Sequence, residues 1–336
     1  MQKLRWGVLS TAKIGREKVI PALQKSTHNH VLAICSRTEQ SARATADSLG
    51  IERAYGSYEE LLADPDIDAI YNPLPNHLHV DWSIKALQAG KHVLCEKPLG
   101  LDTADAQRLV DAARAFPQLK VMEAFMYRFH PQWQLTKQLI DKGRIGKLHA
   151  VHSHFSYNNR DADNIRNKAE WGGGALLDIG CYSISLSRWL FNEEPAQVLG
   201  QITPMPGEEV DCLTSAIMEF SAGSASFTAA TKIEPIQYVE AIGDEGSLYL
   251  ERPFYNDSEE PVQRIRITRN RVQEIIEVPD SNHYGAMGDA FALSIFNNTA
   301  TPTPLADAIA NMQVIDAIFT SAAQRQWIKP EETLPS

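Results

Sequence analysis

GKHVLCEKPL, residues Gly90–Leu99, is the stretch on which the fold turns. His92–Val93–Leu94–Cys95 reads as a short buried strand, apolar apart from His92 and entered through a Gly-Lys turn. Glu96, Lys97 and Pro98 follow at once, so the strand leaves the core at an ion pair and a proline. In an open parallel sheet, ligands bind at the carboxyl ends of the strands. That placement makes Lys97 a candidate for chemistry, and Pro98, which fixes its own φ and restricts the residue before it, holds the lysine in place. Taken alone, the stretch could equally be a surface Glu-Lys pair in a loop. The flanking sequence has to decide.

Upstream, Lys3–Leu9 is an apolar strand, followed by Ser10–Thr11–Ala12–Lys13–Ile14–Gly15 and a helix over 14–24. Strand, tight turn and helix form the context a dinucleotide fingerprint requires. Ser10 and Ala12 stand where its first two glycines would, with Gly15 in the last place, and a plain βα turn accounts for this stretch as well as a fingerprint does. The second strand, His30–Cys35, ends in Ser36–Arg37 where an NAD enzyme carries a carboxylate for the ribose 2′-hydroxyl. Ser36 and Arg37 would instead donate to a 2′-phosphate, which points to NADP, with NAD remaining open.

Helices over 38–49, 57–63 (capped by Ser57, with Glu60 three residues on), 77–89 and 101–115 (capped by Asp102 or Thr103) alternate with strands at 67–71, 93–95 and 120–124. This alternation implies a parallel, doubly wound sheet. The fourth strand runs into Asn72–Pro73–Leu74–Pro75–Asn76, a rigid loop on the ligand side. His77 and His79 begin a helix on this reading, and no metal site is expected.

The rhythm changes near Glu123, which sets the expected domains at 1–123 and 124–336. After the aromatic and basic Phe125–Pro131 and a helix to 142, strands are expected at 149–157, 197–203, 212–220, 224–232, 237–242, 247–250, 263–268 and 272–278. Many alternate apolar and polar residues, as an antiparallel sheet with one covered face requires. Helices over 284–297 and 305–324 close the chain, and the last is expected to pack back on one of the domains. Within this half, Trp171–Gly172–Gly173–Gly174 frees the backbone before a helix. Asp178 and Tyr182, four apart, share a face of it. A carboxylate and a phenol behind a glycine hinge form an acid–base arrangement, although a buried helix with a local Tyr–Asp bond has the same spacing.

Composition narrows the classes. The chain has 336 residues, 43% hydrophobic and 22% charged, with a formal charge of -10. That acidity argues against nucleic acid or an anionic membrane as partner. No apolar run reaches the roughly 18 residues of a membrane span, and MQKLRWGVLS has no export signal. Four scattered cysteines without CxxC spacing read as reduced core thiols, so a cytoplasmic location is expected.

Together, GKHVLCEKP and GGGALLDIG, in that order, resemble the Gfo/Idh/MocA oxidoreductases over essentially the whole chain. The resemblance implies a Rossmann domain followed by an α/β domain with a large, mainly antiparallel open sheet, and a nicotinamide cofactor between them. It assigns catalysis to Lys97 and Asp178. Many members carry His four residues after that Asp; here the position is Tyr182. This pattern is similar to the branch of NADP-dependent D-xylose dehydrogenase, dimeric dihydrodiol dehydrogenase and glucose–fructose oxidoreductase.

By position, the resemblance implies cofactor contacts from Ser10, Thr11, Ala12, Ile14, Ser36, Arg37, Pro73, Leu74, Asn76, His79, Glu96 and Lys97, with Arg166 and Tyr284 as further candidates. Arg128, Phe155, Tyr157 and His283 are candidate substrate contacts. The expected activity is NADP-dependent oxidation of an aldose or a trans-dihydrodiol. A ketosugar or dicarbonyl reductase is the rival enzyme, and a non-catalytic NADP-sensing regulator the rival class. The open sheet predicts a homo-oligomer, a dimer foremost.

Overall fold

The computed structural model describes residues 3–203, 205–255, 262–279 and 281–330. The chain forms two compact units, Met1–Met126 with Asn282–Ile309, and Tyr127–Ser281 with Ala310–Ser336.

In the first unit, β1 (Leu4–Val8), β2 (Asn29–Cys35), β3 (Arg53–Tyr55), β4 (Ala69–Asn72), β5 (His92–Cys95) and β6 (Val121–Glu123) form one sheet in the order β3-β2-β1-β4-β5-β6. Every pairing is parallel. The order reverses between β1 and β4, the crevice where doubly wound sheets take ligands. Between the strands run α1 (Ile20–Gln24), α2 (Glu39–Leu49), α3 (Tyr58–Ala63), α4 (His79–Gln88) and α5 (Thr103–Arg114). Their starts are set by local chemistry. Thr38 accepts from Ser41 N, Ser57 from Glu60 N at 3.1 Å and Asp102 from Asp105 N at 2.7 Å, so Asp102 is the cap of α5. Strand β3 is short and only half-buried, and no apolar run announces it in the sequence.

The first unit is completed from late in the chain. Helix α8 (His283–Phe296) buries Met287, Phe291 and Ala292 completely. Phe291 lies 5.6 Å from the Trp6 ring. Asn29 ties the contact, accepting from Trp6 Nε1 at 2.8 Å and donating to Asp289 at 2.7 Å. Residues 282–309 therefore belong with the parallel sheet, which differs from an undivided second domain over 124–336.

The second unit opens with α6 (Pro131–Asp141) and builds an eight-stranded sheet from β7 (Leu148–Asn158), β8 (Gln197–Ile202), β9 (Leu213–Phe220), β10 (Gly223–Ala230), β11 (Lys232–Gly243), β12 (Ser247–Leu250), β13 (Val262–Arg269) and β14 (Val272–Pro279). Its order is β14-β13-β12-β11-β7-β10-β9-β8, and only the β7–β10 pair is parallel. Along β7, Val151, Ser153 and Phe155 are buried, while His152 and His154 take the other face. That other face carries a row in register, Ile217, Ser226, His152, Glu240, Tyr249, Arg266 and Ile275. The expected strand over 224–232 stops at Ala230. Thr231 N bonds Cys212 O at 3.0 Å, and Lys232 already starts β11. The β11 register slips between Lys232 and Ile236, where Pro235 has no N–H to give the ladder.

Helix α7 (Cys181–Phe191) lies in this unit, and α9 (Leu305–Gln324) begins in the first unit and continues into the second. Arg188 of α7 donates to Glu194 and to Asn311, the latter at 3.3 Å. Among the described residues, no helix is long and apolar enough to cross a membrane.

Candidate active site

In the first unit the candidate residues gather at the carboxyl ends of β1, β2, β4 and β5. Ser10 follows β1 in the left-handed region, φ 75°, a conformation that favours glycine. Its Oγ accepts from Ala12 N at 3.3 Å, which offsets part of the strain. Thr11, Ala12 and Ile14 stay partly open, and a π-helical turn, Gly15–Val19, leads into α1. A Cβ on Gly15 would meet nothing nearer than Tyr71 Cε1 at 3.6 Å, an ordinary contact. After β2, Ser36 is nearly buried with its N–H on Tyr55 O at 3.2 Å, and Arg37 is exposed.

The loop after β4 is held from inside. Asn72 Nδ2 donates to His79 O at 3.0 Å and Ser83 Oγ at 3.1 Å, and Asn72 Oδ1 accepts from Leu74 N at 3.3 Å. Pro73 and Leu74 are buried, and Asn76 is half-buried. Glu96 N bonds Asn72 O at 3.0 Å, joining this loop to the Glu96–Lys97–Pro98 turn, whose Lys97–Pro98 bond is cis. Tyr71 donates its hydroxyl to Glu96 Oε1 at 2.6 Å. Burial, and then the Glu96 carboxylate, raise the Tyr71 and Tyr284 phenols above their ordinary range. No motif in the sequence pointed to Tyr71.

His79, expected as a cofactor contact, is set inside the loops. Its ring is 1% exposed, with Nδ1 2.7 Å from Pro98 O and Nε2 2.7 Å from Leu74 O. Burial pushes it down to about 4, while the two carbonyls pull the other way. It lies between the two loops, its ring meeting a carbonyl of each.

In the second unit, Gly172–Gly173–Gly174 leads into a π-helical turn, Leu176–Gly180, that continues as α7. Asp178 sits in that turn and Tyr182 in the first turn of α7, so the shared face spans two helix types rather than one regular helix. π turns recur at functional sites. Asp178 Oδ2 accepts from Tyr157 Oη at 2.6 Å and from Arg166 Nε at 3.0 Å. The Asp178 charge raises the Arg166 guanidinium above its ordinary value. Burial and then Asp178 raise the Tyr157 phenol. Tyr182 lies among rings, 5.3 Å from Phe254 and 5.8 Å from both Phe155 and Tyr127. A carboxylate fixed by a cation, beside a phenol with an apolar surround, can orient a hydroxyl and hold a proton.

Within this unit the structure brings together Asp178, Tyr182, Tyr157, Phe155 and Arg166, the last of which was expected on the cofactor. Arg128 is 9% exposed. Its Nη2 donates to Ser185 Oγ at 2.8 Å, and its guanidinium lies 5.6 Å from the Trp189 ring, so it packs against α7. His283 falls in the first unit, edge-on to Tyr284 at 4.5 Å. No group of three or more His, Cys, Asp or Glu suited to a metal occurs among the described residues.

The strand-end set in the first unit fits a dinucleotide. A left-handed turn opens onto a helix start that offers N–H groups to an anion, and a hydroxyl and a guanidinium end the next strand. Comparison with known proteins agrees. Residues 4–124 match the oxidoreductase family with an NAD-binding Rossmann fold, and residues 133–249 match the GFO/IDH/MocA C-terminal domain. The chain belongs to the Gfo/Idh/MocA family and is an NAD(P)-dependent, sugar-related oxidoreductase, which sets aside the regulator.

Among its relatives is D-xylose 1-dehydrogenase (NADP(+)) 2 of Haloferax volcanii, 37% identical over 95% of this chain and 97% of that one. Trans-1,2-dihydrobenzene-1,2-diol dehydrogenase of Xenopus laevis is 36% identical over 68% of each chain. A solved 3-ketoreductase from Actinomadura kijaniata, in complex with NADP and TDP-benzene, superposes with a TM-score of 0.89 at 30% identity, covering 95% of this chain and 98% of that one.

Proposed function

We propose that the protein is an NADP-dependent dehydrogenase that oxidises a sugar-like hydroxyl, on a D-xylose-like aldose or a trans-dihydrodiol. The observation that carries this reading is the Asp178 carboxylate, held by Arg166 and Tyr157 one turn before Tyr182. When bound, the nicotinamide supplies the hydride acceptor. The carbinol C–H bond gives up its electron pair as hydride, and the hydroxyl proton passes to Tyr182 as general base. A free tyrosine has a pKa of about 10, too high for efficient base work near neutrality. Arg166, within electrostatic reach of Tyr182, favours the phenolate. Lys97 holds the reacting hydroxyl and the nicotinamide ribose, and Asp178 orients the substrate. Ser36 and Arg37 take the 2′-phosphate. Ser10, Thr11, Ala12, Ile14, Pro73, Leu74, Asn76, Glu96 and Tyr284 line the rest of the cofactor, and Phe155, Tyr157 and His283 contact substrate.

The test is reduction of NADP and NAD, followed by absorbance, against aldoses, inositols and trans-dihydrodiols. Turnover of a pentose with NADP is expected. Tyr182→Phe lowers kcat by about 1000-fold while NADP still binds; unchanged turnover overturns the assignment. The same residues run in reverse serve a ketosugar reductase, the reading favoured by the likeness to the 3-ketoreductase, and NADPH oxidation with ketosugars distinguishes it.

Ile217 and Ile275 in the outer row, and Ile236 on the same sheet face, are each 41–53% exposed and give that face an apolar component. We take the protein to be a homodimer through it, and sedimentation as a monomer at micromolar concentration overturns this. Cys35, Cys95, Cys181 and Cys212 are buried free thiols, which suits a cytoplasmic location.

A further inference from the structure

Asp211 precedes β9 in sequence and is 9% exposed. Its backbone carbonyl accepts from Ala175 N at 2.6 Å. Its carboxylate Oδ2 accepts from Leu176 N at 2.7 Å and from the Thr214 hydroxyl at 2.7 Å. Its Oδ1 occupies the space where a Cβ on Gly174 would lie. The first N–H groups of a helix have no partner within it. Here the N-cap position is Ala175, which has no side-chain acceptor to offer. Two successive N–H groups are met instead by a residue 35 positions away, and its carboxylate also complements the positive end of the helix.

The two ends of Gly174 tie this anchor to the site. Gly174 N bonds Arg166 O at 2.9 Å, and Gly174 O accepts from Asp178 N at 3.1 Å. A displaced helix start therefore moves Asp178 relative to both Arg166 and Tyr157.

We propose that Asp211 is a positioning residue for hydride transfer: it fixes the start of the π-helical turn, so that Asp178 meets Arg166 and Tyr157 and Tyr182 follows one turn later. It touches no reacting atom. The inference rests on the reading of Asp178 and Tyr182 as the acid–base pair. Burial raises the Asp211 carboxyl to about 6, while the Thr214 hydroxyl and the backbone donors pull it the other way.

The test compares full-length Asp211→Ala, Asp211→Asn and Thr214→Val with the wild type. Three readouts are taken: kcat and KM with D-xylose and NADP, NADP binding by fluorescence, and amide hydrogen exchange over 175–182. Misplacement of about an ångström costs roughly 100-fold in rate, so Asp211→Ala is expected to lose 10- to 100-fold in kcat with NADP affinity within about twofold. Its exchange over 175–182 is expected to quicken. Asp211→Asn keeps an acceptor oxygen and is expected to recover most of the loss, and Thr214→Val to fall about threefold.

Unchanged kcat in Asp211→Ala, or no better kcat in Asp211→Asn than in Asp211→Ala, overturns the proposal. Should Asp211→Ala not fold, unchanged kcat and exchange in Thr214→Val overturn it. If the wild type turns over no substrate, the proposed function fails on its own account. Exchange then decides for Asp211: quickening confined to 175–182 upholds the anchor, and no quickening there removes it.

Discussion

The turn after β1 and the triple-glycine turn before α7 both lead into a π-helical turn, Gly15–Val19 in one unit and Leu176–Gly180 in the other. They nevertheless differ in what surrounds them. In the second turn the protein fills its own space: Gly174, at φ 111°, lies against Asp211 Oδ1, and a Cβ on Gly173 would sit 2.5 Å from Arg166 O. In the first, Ser10 holds a left-handed φ with a side chain in place, and a Cβ on Gly15 would find only ordinary contact. Glycine is required in the second turn by crowding as well as by φ. In the first, φ alone asks for it, and a serine that bonds its own backbone is tolerated. One turn is packed tight by Asp211 and Arg166, while the other leaves room for a side chain.

Substitutions can break this contrast, beginning with the largest effect. Gly174→Ala meets both the positive φ and the Asp211 carboxylate, and is expected to cost on the order of 4 kcal/mol of stability, read by denaturant unfolding. A loss below about 1 kcal/mol would mean that the second turn is as permissive as the first.

The two units should also answer pH in opposite senses. Asp211 is pushed up to about 6 by burial, above its usual 3.8, so the folded state keeps a proton that the unfolded state releases. Stability from this group is fully present below pH 4 and is lost as pH rises to 6, by at most about 3 kcal/mol. His79 is pushed down to about 4 from 6.5, so the unfolded state takes up the proton first, and stability falls as pH drops from 6.5 to 4. Unfolding curves over pH 4–7 are expected to flatten in Asp211→Asn on the first limb and in His79→Gln on the second. An unaltered limb in either variant refutes the assignment of that group.

Arg37→Ala tests the neighbouring end of β2, where losses should appear in ligand binding rather than in folding. KM for NADP is expected to rise about tenfold with NAD unaffected and the melting temperature unchanged. An equal rise for NAD would remove the 2′-phosphate contact. The smallest effect is Ser10→Gly. It relieves the left-handed strain but gives up the bond to Ala12 N and adds unfolded-state entropy, so the net change in stability is expected to stay under about 1 kcal/mol.

Much of this was legible in the sequence because it is local. Alternating strands and helices gave the parallel sheet, Ser57 announced its helix, and the EKP and triple-glycine stretches marked the strand end and the helix start. What escaped depends on distance along the chain. Asp211 caps a helix 35 residues away, with no spacing rule to connect them. His79 reads as an ordinary early helix residue until the carbonyls of Leu74 and Pro98 close around it. The periodicity of α8 shows a buried face but not what covers it, and only the Trp6–Asn29–Asp289 contact supplies the answer.

The return of α8 to the parallel sheet has a consequence for synthesis. During translation, residues 1–126 emerge first, carrying all six strands of the cofactor unit, but its Trp6 ring and the Asn29 amide wait for Phe291 and Asp289. The eight-stranded unit waits as well, since β8 is bonded to Ser321 and Ile328, which are made later still. The first unit's nascent form therefore keeps an apolar wall open to solvent, and to chaperones, while more than 150 residues are added.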